Sequence, residues 1–333
     1  MNFLSHKNLP GDTVFSRNLV IIFIISSVAF FIATFQPFGL SPDYENYEIF
    51  FQDARDDFWG LADETRFEPA FVYLTGVLVK ALSVDVFVYG VMVFISVALK
   101  SYFIHRMSLG YFALVALVFY LFKIFPLHEL TQLRAALAAA FVVGACFFVW
   151  SGRPWHGLLM CVPAFLFHYS SLMVFPFLFV PRVEREKALV IPFCIFLLLF
   201  VIVQYVVVML EGFVPVFQSY ESLNYGGEVV NPWSIVMWPE FFMILAAMFF
   251  WRDLTDVMRR IVVLQLIGFA IFYAAIQFPV VAARGREMFS VLWVLFVGQG
   301  FASTLRVKIS IIAFVIFSII VSINLYLILD FFH

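Results

Sequence analysis

The chain has 333 residues, of which 64% are hydrophobic and 13% charged, with 46 phenylalanines and a formal net charge of −2. A mean hydropathy of +1.02 excludes an ordinary soluble domain. No basic stripe is present to follow a nucleic-acid backbone. The apolar runs are long and lack the alternation of a barrel, so the expected class is an all-α polytopic integral membrane protein.

In chain order, clear apolar spans are predicted at 18–36, 85–104, 109–126, 131–150, 188–210, 233–250, 261–280, 288–305 and 309–331. The first has no small-residue cleavage site and reads as a retained span rather than a signal peptide. After it comes a polar island, SPDYENYEIFFQDARDDFWGLADETRFEP, with nine acids and two bases, Arg55 and Arg66. Cytoplasmic loops collect Lys and Arg, so the island marks the outer side as a first periplasmic loop over 37–68. A short helix at 69–82 follows. Its 14 residues reach about 21 Å, short of a hydrocarbon core about 30 Å thick. It is therefore expected to lie on the surface or to re-enter. The stretch 156–180 reads either as one span or as two short helices broken near His168. A second periplasmic loop is expected at 211–232.

Charge sorting separates two topologies. In the first, 69–82 does not cross, Lys100, His105, Arg106 and Arg153 fall inside, and His128 to Arg134 fall outside. In the second, eleven plain crossings put Arg106 and Arg153 outside and Arg134 inside. Both agree from Pro181 onward, with Arg252, Arg259, Arg260, Arg306 and Lys308 inside. The first obeys the positive-inside rule better. The result is a single transmembrane domain over 1–333, with about ten or eleven spans and one or two short re-entrant helices. Cys146, Cys161 and Cys194 lie in apolar runs without metal or redox spacing and read as core residues.

Few bases remain on the outer side, and these carry the expected chemistry. Arg134 opens a span after HELTQL, and Arg284 and Arg286 lie in VAARGRE between two spans. Ionisable groups at membrane depth are costly and mark function. Arginine suits the bidentate binding of phosphate. Together the three suggest an anionic ligand, most simply a lipid pyrophosphate. The competing reading is a snorkelling arginine or an internal pair such as Arg286 with Glu287. His168, in FLFHYSS, is either a hydrogen-bonded core histidine or a general base on a hydroxyl. Tyr169 beside it and Gln132 on the turn before Arg134 are candidate ligand contacts.

In the island, Asp43 with Tyr44 and Tyr47 suits sugar binding, the rings stacking on pyranose faces while the carboxylate accepts hydroxyl protons. A solvated acidic loop with interfacial aromatics explains the same residues. Glu68 precedes Pro69, which also fits a helix start with an acid at the positive dipole end. The second outer loop offers Tyr220 and Tyr225. Walker, dinucleotide, HExxH, GxSxG and DxD patterns are missing.

The order of these motifs carries a resemblance. Asp43-x₃-Tyr47 comes first, then Glu68-Pro69-x-Phe71, Leu133-Arg134-Ala135, His168-Tyr169-Ser170 and a late Arg284. Over roughly residues 18–305 the chain resembles the EpsG-type, Wzy-like family of polysaccharide polymerases. The pattern is also similar to lipid-dependent glycosyltransferases of the GT-C type, in which a short proline-led surface helix follows an acidic first outer loop. The resemblance implies a multi-pass enzyme of the bacterial inner (cytoplasmic) membrane. Such an enzyme joins undecaprenyl-pyrophosphate-linked oligosaccharide repeat units at the periplasmic face, by transfer to an acceptor sugar hydroxyl. Its implied partners are that lipid-linked substrate, the bilayer, a flippase and a chain-length regulator, with no nucleic acid, cofactor or metal. The expected catalytic set is Arg134, His168, Asp43 and Arg284. Tyr44, Tyr47, Glu68, Gln132, Tyr169, Arg286, Tyr220 and Tyr225 are expected to bind substrate. The alternatives are a lipid-linked oligosaccharide flippase and a glycan ligase.

Overall fold

A computed structural model describes residues 12–35, 42–58, 65, 67–180, 184–202 and 231–328. The described residues form helices and turns with no strand. In chain order the helices are α1 (Asp12–Phe35), α2 (Pro42–Asp56), α3 (Pro69–Ala81), α4 (Asp85–Met107) and α5 (Phe112–Phe119). A π-helical turn, Tyr120–Ile124, leads into the short α6 (Phe125–His128). Then follow α7 (Leu133–Trp150), α8 (Pro154–Phe167), α9 (Arg185–Val201) and α10 (Trp238–Phe249). The series ends with α11 (Asp256–Ala274), α12 (Pro279–Ser290), α13 (Trp293–Gly298) and α14 (Leu305–Ile328).

Four segments are long and apolar enough to cross a membrane: Asp85–Met107, Leu133–Trp150, Asp256–Ala274 and Leu305–Asn324. Shorter apolar helices include Val20–Phe35, Pro69–Ala81, Phe112–His128, Pro154–Phe167 and Ile235–Phe249. Among the described residues the fold is all-helical, and these helices make the chain a multi-pass membrane protein.

Two compact units divide it. The first holds Met1–Met107, Tyr120–Leu172 and Asn324–His333; the second holds Ser108–Phe119 and Met173–Ile323. In the first unit α1 packs on α4, α4 on α7, α7 on α8, and α3 on both α2 and α8. The small residues of α7 permit this closeness, since Ala135 to Ala140 and Gly144 are buried. Gly157 of α8 shows how close the approach is: a Cβ there would sit 2.4 Å from Val149 Cγ2. In the second unit α11 packs against α9, α10, α12 and α13, and α13 packs on α5.

Several expectations change. Within the stretch expected as a first periplasmic loop, residues 42–56 form the helix α2. Tyr47, Phe50, Phe51 and Ala54 fall at i, i+3, i+4 and i+7 and are all buried, which is enough apolar face for a helix to dock on α3. Arg284 and Arg286 lie on α12, not in a connecting loop. The predicted span 288–305 is divided among α12, α13 and a 3₁₀ turn at Gly300–Ala302. Of the two readings of 156–180, the break near His168 is the one observed, with 3₁₀ turns rather than a second α-helix running from Tyr169 to Phe177. Cys194 is exposed on α9 and only Cys146 and Cys161 are buried.

Candidate functional site

The site in the first unit is built on Glu68. This residue is the N-cap of α3, with extended backbone (φ −70°, ψ 145°) and Pro69 starting the helix. Its carboxylate makes no capping bond to its own helix. Instead Oε2 accepts a hydrogen bond from Arg134 Nη1 at 2.6 Å, and Oε1 lies 2.8 Å from His168 Nδ1. The Tyr169 N–H also donates to Oε1, at 3.4 Å. Residues 66 and 100 positions away in sequence thereby meet on one carboxylate.

Local structure aims each partner. Arg134 is the second residue of α7, following the N-cap Gln132, whose side chain makes no cap bond. His168 ends α8 in extended conformation (φ −162°, ψ 117°), which turns its ring out of the helical path. The Arg134 guanidinium lies over the Phe67 ring at 4.6 Å and is hydrogen-bonded to Tyr47. Tyr47 is only 2% exposed and packs against Phe67, Phe71 and Tyr89. Its ring therefore holds Arg134 and has no open face for a sugar. Tyr169 differs: it is half-exposed, with its ring 5.0 Å from Phe165.

Glu68 is 3% exposed. Burial pushes its carboxyl up, but the hydrogen bond with His168, the Arg134 charge, the His168 charge and the Arg134 hydrogen bond outweigh this and lower it to about 2. When the imidazole is neutral, a carboxylate held ionised against Nδ1 keeps the single ring proton on that nitrogen. The Nε2 lone pair is then left for other work. His168 Nε2 and Arg134 Nε are buried without a hydrogen-bond partner. The two side chains are 14% and 23% exposed. The arrangement offers a base atom beside an anion-binding cation.

A second carboxylate network, not expected from sequence, lies in the same unit. Glu129 Oε1 accepts from Lys100 Nζ, from Tyr120 Oη at 2.8 Å and from Ser96 Oγ at 3.1 Å. The Tyr89 hydroxyl donates to the Glu129 carbonyl at 2.9 Å. Lys100 and Glu129 are completely buried. Charge sorting assigned Lys100 to the inner face and Glu129 to the outer, yet the two bond to each other inside the helix bundle. The sequence signal was an ionisable group within an apolar helix. The π turn brings Tyr120 to this carboxylate, and Pro126 just beyond it supplies no N–H for a regular helical bond.

In the second unit, Arg286 Nη2 donates to the buried Glu240 Oε2 at 2.7 Å and stacks over Phe269 at 5.3 Å. Arg284 Nη1 lies 3.5 Å from Glu287 Oε2. The expected Arg286–Glu287 pair is thus replaced: adjacent residues on a helix diverge, whereas residues three apart share a face. Arg55 donates to the Val79 and Leu82 carbonyls at 3.0 and 3.1 Å and pairs with Asp85, closing the C-terminal end of α3.

The side chains of Asp43 and Tyr44, and Tyr220 and Tyr225 entirely, lie outside the described residues. Among the described residues no group of three or more His, Cys, Asp or Glu is placed to hold a metal ion.

A model of the EpsG family matches residues 19–332. The chain belongs to the EpsG family. The match runs from α1 almost to the end of the chain and takes in both units. EpsG membership points to a polysaccharide polymerase type of function in the membrane. No curated protein and no solved structure matches this EpsG protein.

Proposed function

We propose that this EpsG protein is a polymerase that joins oligosaccharide repeat units carried on undecaprenyl pyrophosphate, at the periplasmic face of the inner membrane. The observation that carries the reading is the Glu68 carboxylate, which holds Arg134 and His168 together while leaving a nitrogen of each without a protein partner.

In this reading His168 Nε2 accepts the proton of the acceptor sugar hydroxyl. The hydroxyl oxygen attacks the anomeric carbon of the donor. The bond from that carbon to the pyrophosphate oxygen breaks, and its electron pair leaves with the lipid pyrophosphate. Arg134 binds that anion and stabilises the charge that develops on it. The leaving group is already activated, so neither a nucleotide nor a metal is required. Glu68 acts through its two partners, fixing the imidazole tautomer and the guanidinium orientation. Tyr47 and Phe67 hold Arg134 from the other side, and Tyr169 offers its open ring to a sugar. Asp43, Tyr44, Gln132, Tyr220 and Tyr225 remain proposed contacts to the acceptor. Arg284 remains a proposed anion contact, and Arg286 is assigned to its Glu240 pair. The proposed frame is GT-C-like, with α3 as a surface or re-entrant helix.

The test is to incubate the purified chain with a single lipid-linked repeat unit. A polymer ladder is expected. No reaction would favour a flippase, and dependence on a different acceptor would make the protein a ligase.

A further inference from the structure

In the second unit a cavity of about 850 Å³ opens between the start of α9, the turn joining α10 to α11, and the start of α14. Arg185, Arg252, Arg259 and Arg306 line it. Three acids, Glu184, Glu186 and Asp253, line it as well, and Glu184 is engaged with Lys187 at 3.3 Å. Arg259 is structural: Nε donates to the Trp251 carbonyl at 3.0 Å and Nη2 to the Arg252 carbonyl at 3.1 Å, which sets the turn. Arg185, Arg252 and Arg306 are exposed.

Two of these arginines sit where their own helices disfavour them. Arg185 is in the first turn of α9 and Arg306 in the first turn of α14. The positive end of a helix dipole repels a cation and attracts an anion. The α9 N-cap, Glu184, makes no side-chain bond to its helix, which leaves first-turn N–H groups available to an anion, with the acid Glu186 sharing that turn with Arg185. Charge sorting across a membrane explains bases on this side of the chain. It does not explain why they gather around one cavity at two helix starts.

The rim identifies how the anion arrives. Phe249, which lines the cavity, is 75% exposed, and Leu305 beside Arg306 is 71% exposed. A phosphate bound by these arginines would have apolar side chains next to it, as a headgroup with acyl chains requires. We propose that this cavity binds the phosphate of an anionic phospholipid headgroup. The proposal is independent of the polymerase reading, because it concerns other residues in another unit.

The experiment uses the purified full chain in detergent and follows thermal unfolding against added phosphatidylglycerol, phosphatidylcholine or inorganic phosphate. Phosphatidylglycerol is expected to raise the melting temperature saturably and phosphatidylcholine is not. Each arginine removed weakens the apparent Kd about fivefold, so Arg252→Ala with Arg306→Ala costs about 25-fold. Arg252→Ala alone, on an exposed side chain, gives the same reading at about fivefold if the double variant does not fold. A variant-sensitive shift with inorganic phosphate alone would uphold the anion site and overturn the lipid as its source. Equal shifts with both lipids, or wild-type response in the variants, would overturn the proposal.

Discussion

Two glutamates of the first unit, Glu68 and Glu129, are nearly alike in burial and differ in whether their partners reach the surface. Glu129 and Lys100 are completely buried, and Lys100, Tyr120 and Ser96 all donate to one carboxylate oxygen, Oε1, while Oε2 has no hydrogen-bond partner among the described residues. Glu68 is buried too, but the Arg134 and His168 side chains that it holds are 23% and 14% exposed, so this network reaches an edge of the unit. A buried ion pair in a bundle is therefore weak grounds for a site. In the proposed reading the chemistry is assigned to the network whose side chains reach a partly exposed edge, and the fully buried pair is assigned to the architecture.

The sharpest break of this comparison is at the fully buried pair. Removing one partner leaves an uncompensated buried charge, so Glu129→Ala should destabilise by about 3–5 kcal/mol. Replacing both, as Lys100→Met with Glu129→Leu, should restore most of that loss. Thermal unfolding in detergent reads both, and a Glu129→Ala protein as stable as wild type would end the architectural assignment.

Next in size is Arg134→Ala, expected to lower polymerisation on the order of 10²–10³-fold. Arg134→Lys should recover little, because an ammonium cannot reproduce the planar fork. Normal polymer length in cells, at normal protein level, would remove the core of the mechanism.

His168→Asn comes third. The Asn amide can still donate to Glu68 from near the Nδ1 position but offers no base, so turnover should fall about 10²-fold with the melting temperature nearly unchanged. Equal loss of stability and activity would make His168 a packing residue only.

The smallest effect is the pH dependence of Glu68. Its folded value of about 2 lies below its ordinary 4.5. The charged form therefore contributes stability that is complete above about 4.5 and is lost as pH falls toward 2. Glu68→Gln should flatten the melting curve's dependence on pH in that window, and unchanged dependence would show that other carboxylates carry it.

Individual residues show what could be read in advance. Glu68-Pro69, Arg134 and His168 were legible because each is a polar group at the edge of an apolar run, where burial without purpose is costly. Their meeting was not, since 66 and 100 residues of intervening helix set it. By sequence Tyr47 suits either a sugar platform or an interfacial aromatic, because it stands beside acids next to a span. Packing of α2 on α3 buries it instead. The helical nature of 42–56 was obscured by its charge, although the buried face was visible in the spacing of Tyr47, Phe50, Phe51 and Ala54. Lys100 with Glu129 was missed because charge sorting treats each base as belonging to its nearest loop, whereas a lysine inside α4 reaches sideways to its neighbour.

The sequence by itself determined the membrane class, the helical character, the EpsG family and the residue types able to do chemistry. These follow from composition, local period and short motifs, which need no knowledge of what lies across the bundle. Only the tertiary structure decided which carboxylate serves which nitrogen partner. Glu68 received Arg134 and His168, Glu129 received Lys100, and Glu240 received Arg286. Such pairing depends on helix contacts between distant segments, where a desolvated charge accepts only the partner that packing puts within about 3 Å.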